Sequence, residues 1–142
     1  MVSIMTKHIY LSGGMSNLSL VEQLSWRTKF QQLADNFISE HHIECFIPPY
    51  YYNYENKLPE SEREVFEYDL HRLRHSDVVV ANFNVPKSIG TAYEIAIAWE
   101  HRIPIVGINS TNEELHPWLV ESCIKIFPTI ELAAKYVEEY LI

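Results

Sequence analysis

Glu94 is the residue that most needs a chemical explanation. It lies in "PKSIGTAYEIAIAWE" (86–100), where a helical reading surrounds it at one-turn spacing with Gly90, Thr91, Ile97 and Ala98. A carboxylate on so small and apolar a face loses hydration, which costs free energy unless something compensates. Ser88 is placed to cap this helix. Glu94 comes nearly two turns in, too deep for a capping box. The pattern leaves two readings open, a half-exposed surface acid or an acid held for chemistry.

A second acid, Asp69, sits mid-helix in "FEYDLHRL" (66–73), within one turn of Val65, Phe66 and Leu73. It reads as an acid at the edge of an apolar stripe, paired with Arg72, or as a group facing a site. His71 and His75 have the i, i+4 spacing of a metal grip. Arg72 and Arg74 lie between them and no third ligand suggests itself, so no metal site is expected. "SGGMSN" (12–17) supplies backbone amides and hydroxyls at a helix N-terminus, an anion-friendly arrangement. It is neither G-x-G-x-x-G nor a P-loop, so it stands equally well as a bare loop or as a phosphate or sugar site. "PPYYYNYEN" (48–56) brings Tyr50, Tyr51, Tyr52 and Tyr54 together, suited to stacking on a planar ring or to packing against another subunit.

The elements that must position these residues alternate along the chain. Strands are predicted at 8–13, 43–48, 77–83, 103–108 and 123–127. Helices are predicted at 18–40, 62–75, 88–101, 113–121 and 129–141, the second burying Val65, Phe66, Leu70 and Leu73. "DVVVANF" (77–83) is a continuous apolar run of the kind that fills a central parallel strand. Strand–helix alternation implies right-handed crossovers, hence an α/β, flavodoxin-like doubly wound sheet of five parallel strands in the order 2-1-3-4-5. Its ligand crevice would lie beyond the carboxyl ends of strands 1 and 3. Gly13, Gly14, Gly90 and Gly107, the only glycines, are all expected at or near that edge.

At 142 residues the chain is expected to form one domain, 1–142. With 47% hydrophobic and 13% aromatic residues it is not a disordered chain. A net charge of -8 argues against a nucleic-acid partner. Cys45 and Cys123 are expected to be buried free thiols. No run is long enough for a membrane span and the start lacks signal-peptide features, so a cytoplasmic location is expected. A receiver domain would need acids after strand 1 and an aspartate ending strand 3, where the chain has "SGG" and "ANFN". An FMN domain would want a longer Ser/Thr-rich loop after strand 1.

Taken together, "IYLSGGM" (9–15), the prolines closing strand 2, Asp69, "SDVVVANFN" (76–84) and "SIGTAYEIAIAWEHRIPIVGI" (88–108) resemble the nucleoside 2-deoxyribosyltransferase family over roughly residues 8–108. The resemblance implies Glu94 as nucleophile, Tyr10 as the residue orienting it, and Asp69 near the sugar and leaving base. Ser12, Gly13, Gly14, Asn82, Ser88 and Gly90 would surround the substrate, with the tyrosine loop stacked on the base and Gly90 and Ala98 leaving room for the furanose. One position departs from the pattern. Transferases of free nucleosides carry an aspartate where this chain has Ser88, and serine there looks more like the related 2′-deoxynucleoside 5′-phosphate N-hydrolases. A hydroxyl at a helix N-terminus favours a phosphate that a carboxylate would repel. The implied enzyme transfers the sugar to another base. Hydrolysis, or nucleotide binding without turnover, stand as alternatives. The resemblance also implies no metal or organic cofactor, a small nucleoside or nucleotide substrate, and a homo-oligomer whose neighbouring subunit completes the pocket.

Overall fold

The computed structural model describes residues 5–51 and 61–142. The elements run β1 (Thr6–Gly13), α1 (Leu20–Asp35), β2 (His42–Phe46), a 3-10 turn (Pro48–Tyr50), α2 (Glu62–Arg74), β3 (Val78–Asn82), α3 (Ile89–Glu100), β4 (Ile105–Ile108), α4 (Pro117–Ser122), β5 (Lys125–Phe127) and α5 (Ile130–Tyr140). All strand pairs are parallel and the sheet order is β2-β1-β3-β4-β5, as the alternation predicts. Every residue of β3 is buried, which is why its sequence shows no polar alternation.

Side chains of successive strand residues point to opposite faces, and this splits the core in two. Ile9, Leu11, Val78 and Val80 pack with Trp26, Phe30 and Ala34 of α1 and with Ala133, Ala134 and Val137 of α5. Tyr10, Val79, Ala81 and Ile105 pack with Leu73 of α2 and with Ile95 and Ala98 of α3. Each large side chain so buried contributes about 1.5–3 kcal/mol. β1 therefore presents Tyr10 and Ser12 toward α3 while Ile9 and Leu11 face α1.

Several boundaries differ from expectation. α1 ends at Asp35, not Glu40, because Asn36 leaves helical geometry and its side-chain amide turns back to the Gln32 carbonyl at 2.9 Å. α4 starts only at Pro117, after a His116 cap, with Asn112 left-handed at φ 56 just upstream. On α2 the buried residues are Leu70 and Leu73, while Phe66 is exposed. Gly107 is a packing glycine rather than a ligand-edge one, since a Cβ there would meet the Phe83 ring at 2.9 Å. Cys45 is buried and Cys123 half-buried, both free, and burial pushes each thiol up to about 12. No helix among the described residues is long and apolar enough to cross a membrane.

Candidate active site

Beyond the carboxyl end of β1, next to β3, the loops following both strands and the facing sides of α2 and α3 enclose a cleft of about 640 Å³. This is the switch point of a doubly wound sheet, where the chain leaves neighbouring strands in opposite directions. Gly13 to Asn17 form one wall, with Asn17 left-handed at φ 65, a conformation asparagine tolerates. Glu62, Val65, Phe66 and Asp69 of α2 form the second. Lys87 and Ser88, with Gly90, Tyr93 and Glu94 of α3, form the third.

Glu94 is half-buried and gripped from below. The Tyr10 hydroxyl donates to its Oε2, and the Ser12 hydroxyl donates to its Oε1 at 2.8 Å. Tyr10 and Ser12 stand two apart on β1, so the strand period delivers both hydroxyls to one carboxylate. The Tyr10 ring is fixed against Phe46 at 5.2 Å between centroids. Burial raises the Glu94 carboxyl above its ordinary value; the two hydroxyl hydrogen bonds and the charge of Arg27 oppose that rise. A carboxylate held in this way is orientationally fixed, short of water and open on its cleft side. It is competent to attack an electrophilic carbon, with Asp69 as a second acid in the same cleft.

The two loops are clasped together. The Gly14 N–H donates to Asn84 Oδ1 at 3.1 Å, and the same oxygen accepts from the Val85 N–H at 3.0 Å. The contact is close enough that a Cβ on Gly14 would fall 2.6 Å from Val85 Cγ2. Sequence reading missed Asn84. The signal for it was the "NFNVP" turn after β3, where an asparagine bonding its own backbone is a recurrent device. At the start of α3, Ser88 Oγ accepts from the Thr91 N–H at 3.3 Å and from Thr91 Oγ1 at 3.1 Å. Its own hydroxyl hydrogen is left for another acceptor.

Of the predicted residues, Gly13, Gly14, Asp69, Ser88, Gly90 and Glu94 line the cleft. Tyr10 and Ser12 lie beneath it, in contact with Glu94. Asn82 is buried next to Gly13 in the strand register and is not among the lining residues. Ala98 belongs to the core around Tyr10, so it leaves no room in the cleft. Tyr51 stacks on Phe46 at 5.1 Å and touches Tyr68, and neither it nor Tyr50 lines the cleft; Tyr52 and Tyr54 lie outside the described residues. Two aromatics that sequence reading gave other places or passed over, Phe66 and Tyr93, meet edge to face at 5.5 Å beside the cleft. Arg72, the expected partner of Asp69, reaches Glu44 at 3.5 Å and lies over the Phe46 ring. His71 and His75 sit ring against ring at 4.4 Å on the exposed side of α2, away from the cleft.

The chain is structurally similar to a 2-deoxyribosyltransferase from Bacillus psychrosaccharolyticus, at 24% identity and a TM-score of 0.66, covering 94% of this chain and 91% of the other. A 2-deoxyribosyltransferase from Leishmania mexicana matches at 14% identity and a TM-score of 0.68, covering 96% of this chain and 99% of the other. A CMP N-glycosidase from Clostridium botulinum matches at 15% identity and a TM-score of 0.60, covering 94% and 100%. At these identities the likeness establishes a shared fold. No curated protein matches the sequence. The family model for nucleoside 2-deoxyribosyltransferases, however, matches residues 9–135, which take in most of β1, the other four strands and every residue lining the cleft. The chain belongs to the nucleoside 2-deoxyribosyltransferase family.

Proposed function

We propose that the chain, as one catalytic domain, cleaves the N-glycosidic bond of a 2′-deoxynucleoside and transfers the sugar to another base. The observation that carries this is Glu94, held by two hydroxyls at the floor of a nucleoside-sized cleft. In the first half-reaction a Glu94 carboxylate oxygen bonds to C1′ while the C1′–N bond breaks. The electron pair leaves with the base, which takes a proton from Asp69 or a water. In the second, a ring nitrogen of the incoming base bonds to C1′, its proton returning to Asp69 or a water, while the bond from C1′ to Glu94 breaks and frees the carboxylate, giving net retention through two inversions. Tyr10 and Ser12 hold the carboxylate in line for attack, and immobilising it in this way removes orientational entropy from the barrier. Phe66 and Tyr93 are the aromatic surface offered to the base.

Lys87 and Ser88 favour a second reading, in which the substrate carries a 5′-phosphate and water is the acceptor. The ammonium and the free hydroxyl hydrogen both stand at the N-terminus of α3, where the helix dipole also attracts an anion. Exposed Ile89 and Trp118 line a second groove beside the cleft and suit a homo-oligomer. A cytoplasmic location fits substrates of this kind.

The test is base release from deoxyinosine, with and without adenine, and from deoxynucleoside monophosphates, by wild type and Glu94→Gln. Transfer predicts release that depends on added adenine and new deoxyadenosine. Hydrolysis predicts release from the monophosphate without any acceptor. Undiminished release by Glu94→Gln overturns the mechanism, and ligand binding with no release by wild type reassigns the chain as a binding module.

A further inference from the structure

A cation lies on the other side of the sheet from the nucleophile. Arg27, on α1, is fully buried. Its Nε donates to the Leu11 carbonyl at 3.2 Å, its Nη2 to the Gly13 carbonyl at 3.1 Å and its Nη1 to the Gln23 carbonyl at 2.6 Å. The guanidinium carbon also stands 4.8 Å from the Trp26 ring centre. Leu11 and Gly13 flank Ser12, whose hydroxyl reaches through the opposite face to Glu94. A single planar fork thus holds the backbone on both sides of the residue that holds the carboxylate. Packing alone does not account for an arginine here, because enclosing a guanidinium costs several kcal/mol that an apolar side chain would not.

We propose that Arg27 is a positioning residue for Glu94: from the far side of the sheet its planar fork fixes the end of β1 around Ser12, whose hydroxyl holds the carboxylate. Tyr10 reaches Glu94 from β1 beneath the cleft, and the charged or titratable groups that share the cleft with it are Glu62 and Asp69 from α2, Lys87 from the β3–α3 loop, and Tyr93 from α3 itself. Those on the cleft walls are screened by solvent. Arg27 is not, since it is enclosed between α1 and the sheet, where a charge acts over a longer range. Its charge opposes the upward push of burial on Glu94. Lysine would keep the charge but lose the planar fork that meets two carbonyls at once.

The inference rests on Glu94 as the working carboxylate, but its test needs no turnover, so the two can fail separately. In protein labelled with 13C at the glutamate carboxyls, the Glu94 signal is assigned by its loss in Glu94→Gln and followed with pH. Amide spectra confirm the fold of each variant. Arg27→Gln and Arg27→Met are expected to move the Glu94 midpoint upward, making ionisation at least threefold less favourable, with Arg27→Lys between them and wild type. An unmoved midpoint in a folded neutral variant overturns the proposal. Should neither neutral variant fold, the decision passes to Ser12→Ala, made in wild type and in Arg27→Lys. Its effect on Glu94 ionisation is expected to be at least threefold smaller where the fork is already lost, and an equal effect overturns the proposal.

Discussion

Replacing Tyr10 with phenylalanine isolates one hydroxyl. The Tyr10 ring is fully buried against Phe46, so phenylalanine keeps the packing and removes only the donor to Glu94 Oε2. A hydrogen bond to a charged acceptor is worth about 1.5–3 kcal/mol. At about 1.36 kcal/mol per decade, its loss makes ionisation of Glu94 roughly ten- to a hundredfold less favourable. The direction is fixed by the site: burial already holds this carboxyl above its ordinary value, and the tyrosine is the larger of the two hydrogen bonds opposing it. In the proposed mechanism the reactive form is the carboxylate. In an assay of base release, kcat/KM on the acid side should therefore fall by about that factor, and the deficit should shrink as pH rises. What persists at high pH measures lost orientation. A uniform loss at every pH, or an acid limb that stays where wild type has it, would refute the claim that this hydroxyl sets the charge of the nucleophile.

The same carboxyl makes a prediction for stability. Its folded-state value is raised, so its favourable contribution is complete below the ordinary glutamate range and is lost as pH rises through the folded value. Glu94→Gln should consequently melt above wild type at neutral pH, with the gap closing on acidification, as calorimetry across a pH series would register. Gly14→Val drives its side chain into Val85 and should cost about 1–3 kcal/mol in urea unfolding, with a raised KM because the clasp opens. Phe66→Ala, at an exposed position, should leave the melting temperature nearly unchanged yet raise KM about two- to tenfold, the worth of one aromatic contact. Ser88→Asp should lower kcat/KM for a monophosphate relative to the free nucleoside, and a ratio that does not move would remove Ser88 from the 5′ end of the sugar.

The strand order was legible because each strand is short, apolar and separated by a helical segment, a pattern with few topological solutions. Glu94 was legible as an anomaly, an acid where its own helix had no use for one. Its grip by Ser12 was not, because a serine before two glycines looks like part of a ligand loop, and only the strand pairing turns its side chain toward α3. Phe66 was misjudged for a related reason. Helical periodicity places it beside Val65 and Leu70, but α3 lies across a cleft there and the ring ends up on the cleft wall. Arg27 escaped notice altogether, since an arginine on an amphipathic helix is ordinarily solvated. Gly14 was expected at a ligand edge and lies there, although its tightest contact is with Val85 of the neighbouring loop.

β1 aligns Tyr10 with Phe46 on one side and Val79 on the other, and Ser12 with Ala81. A shift of one residue would turn Ile9, Leu11 and Gly13 toward α3 and withdraw both hydroxyls from the carboxylate at once. Such a molecule would still contain its helices and strands, and far-ultraviolet circular dichroism would count it as folded. Turnover would not, so the specific activity regained after dilution from denaturant reports how many chains have threaded their central strand in register.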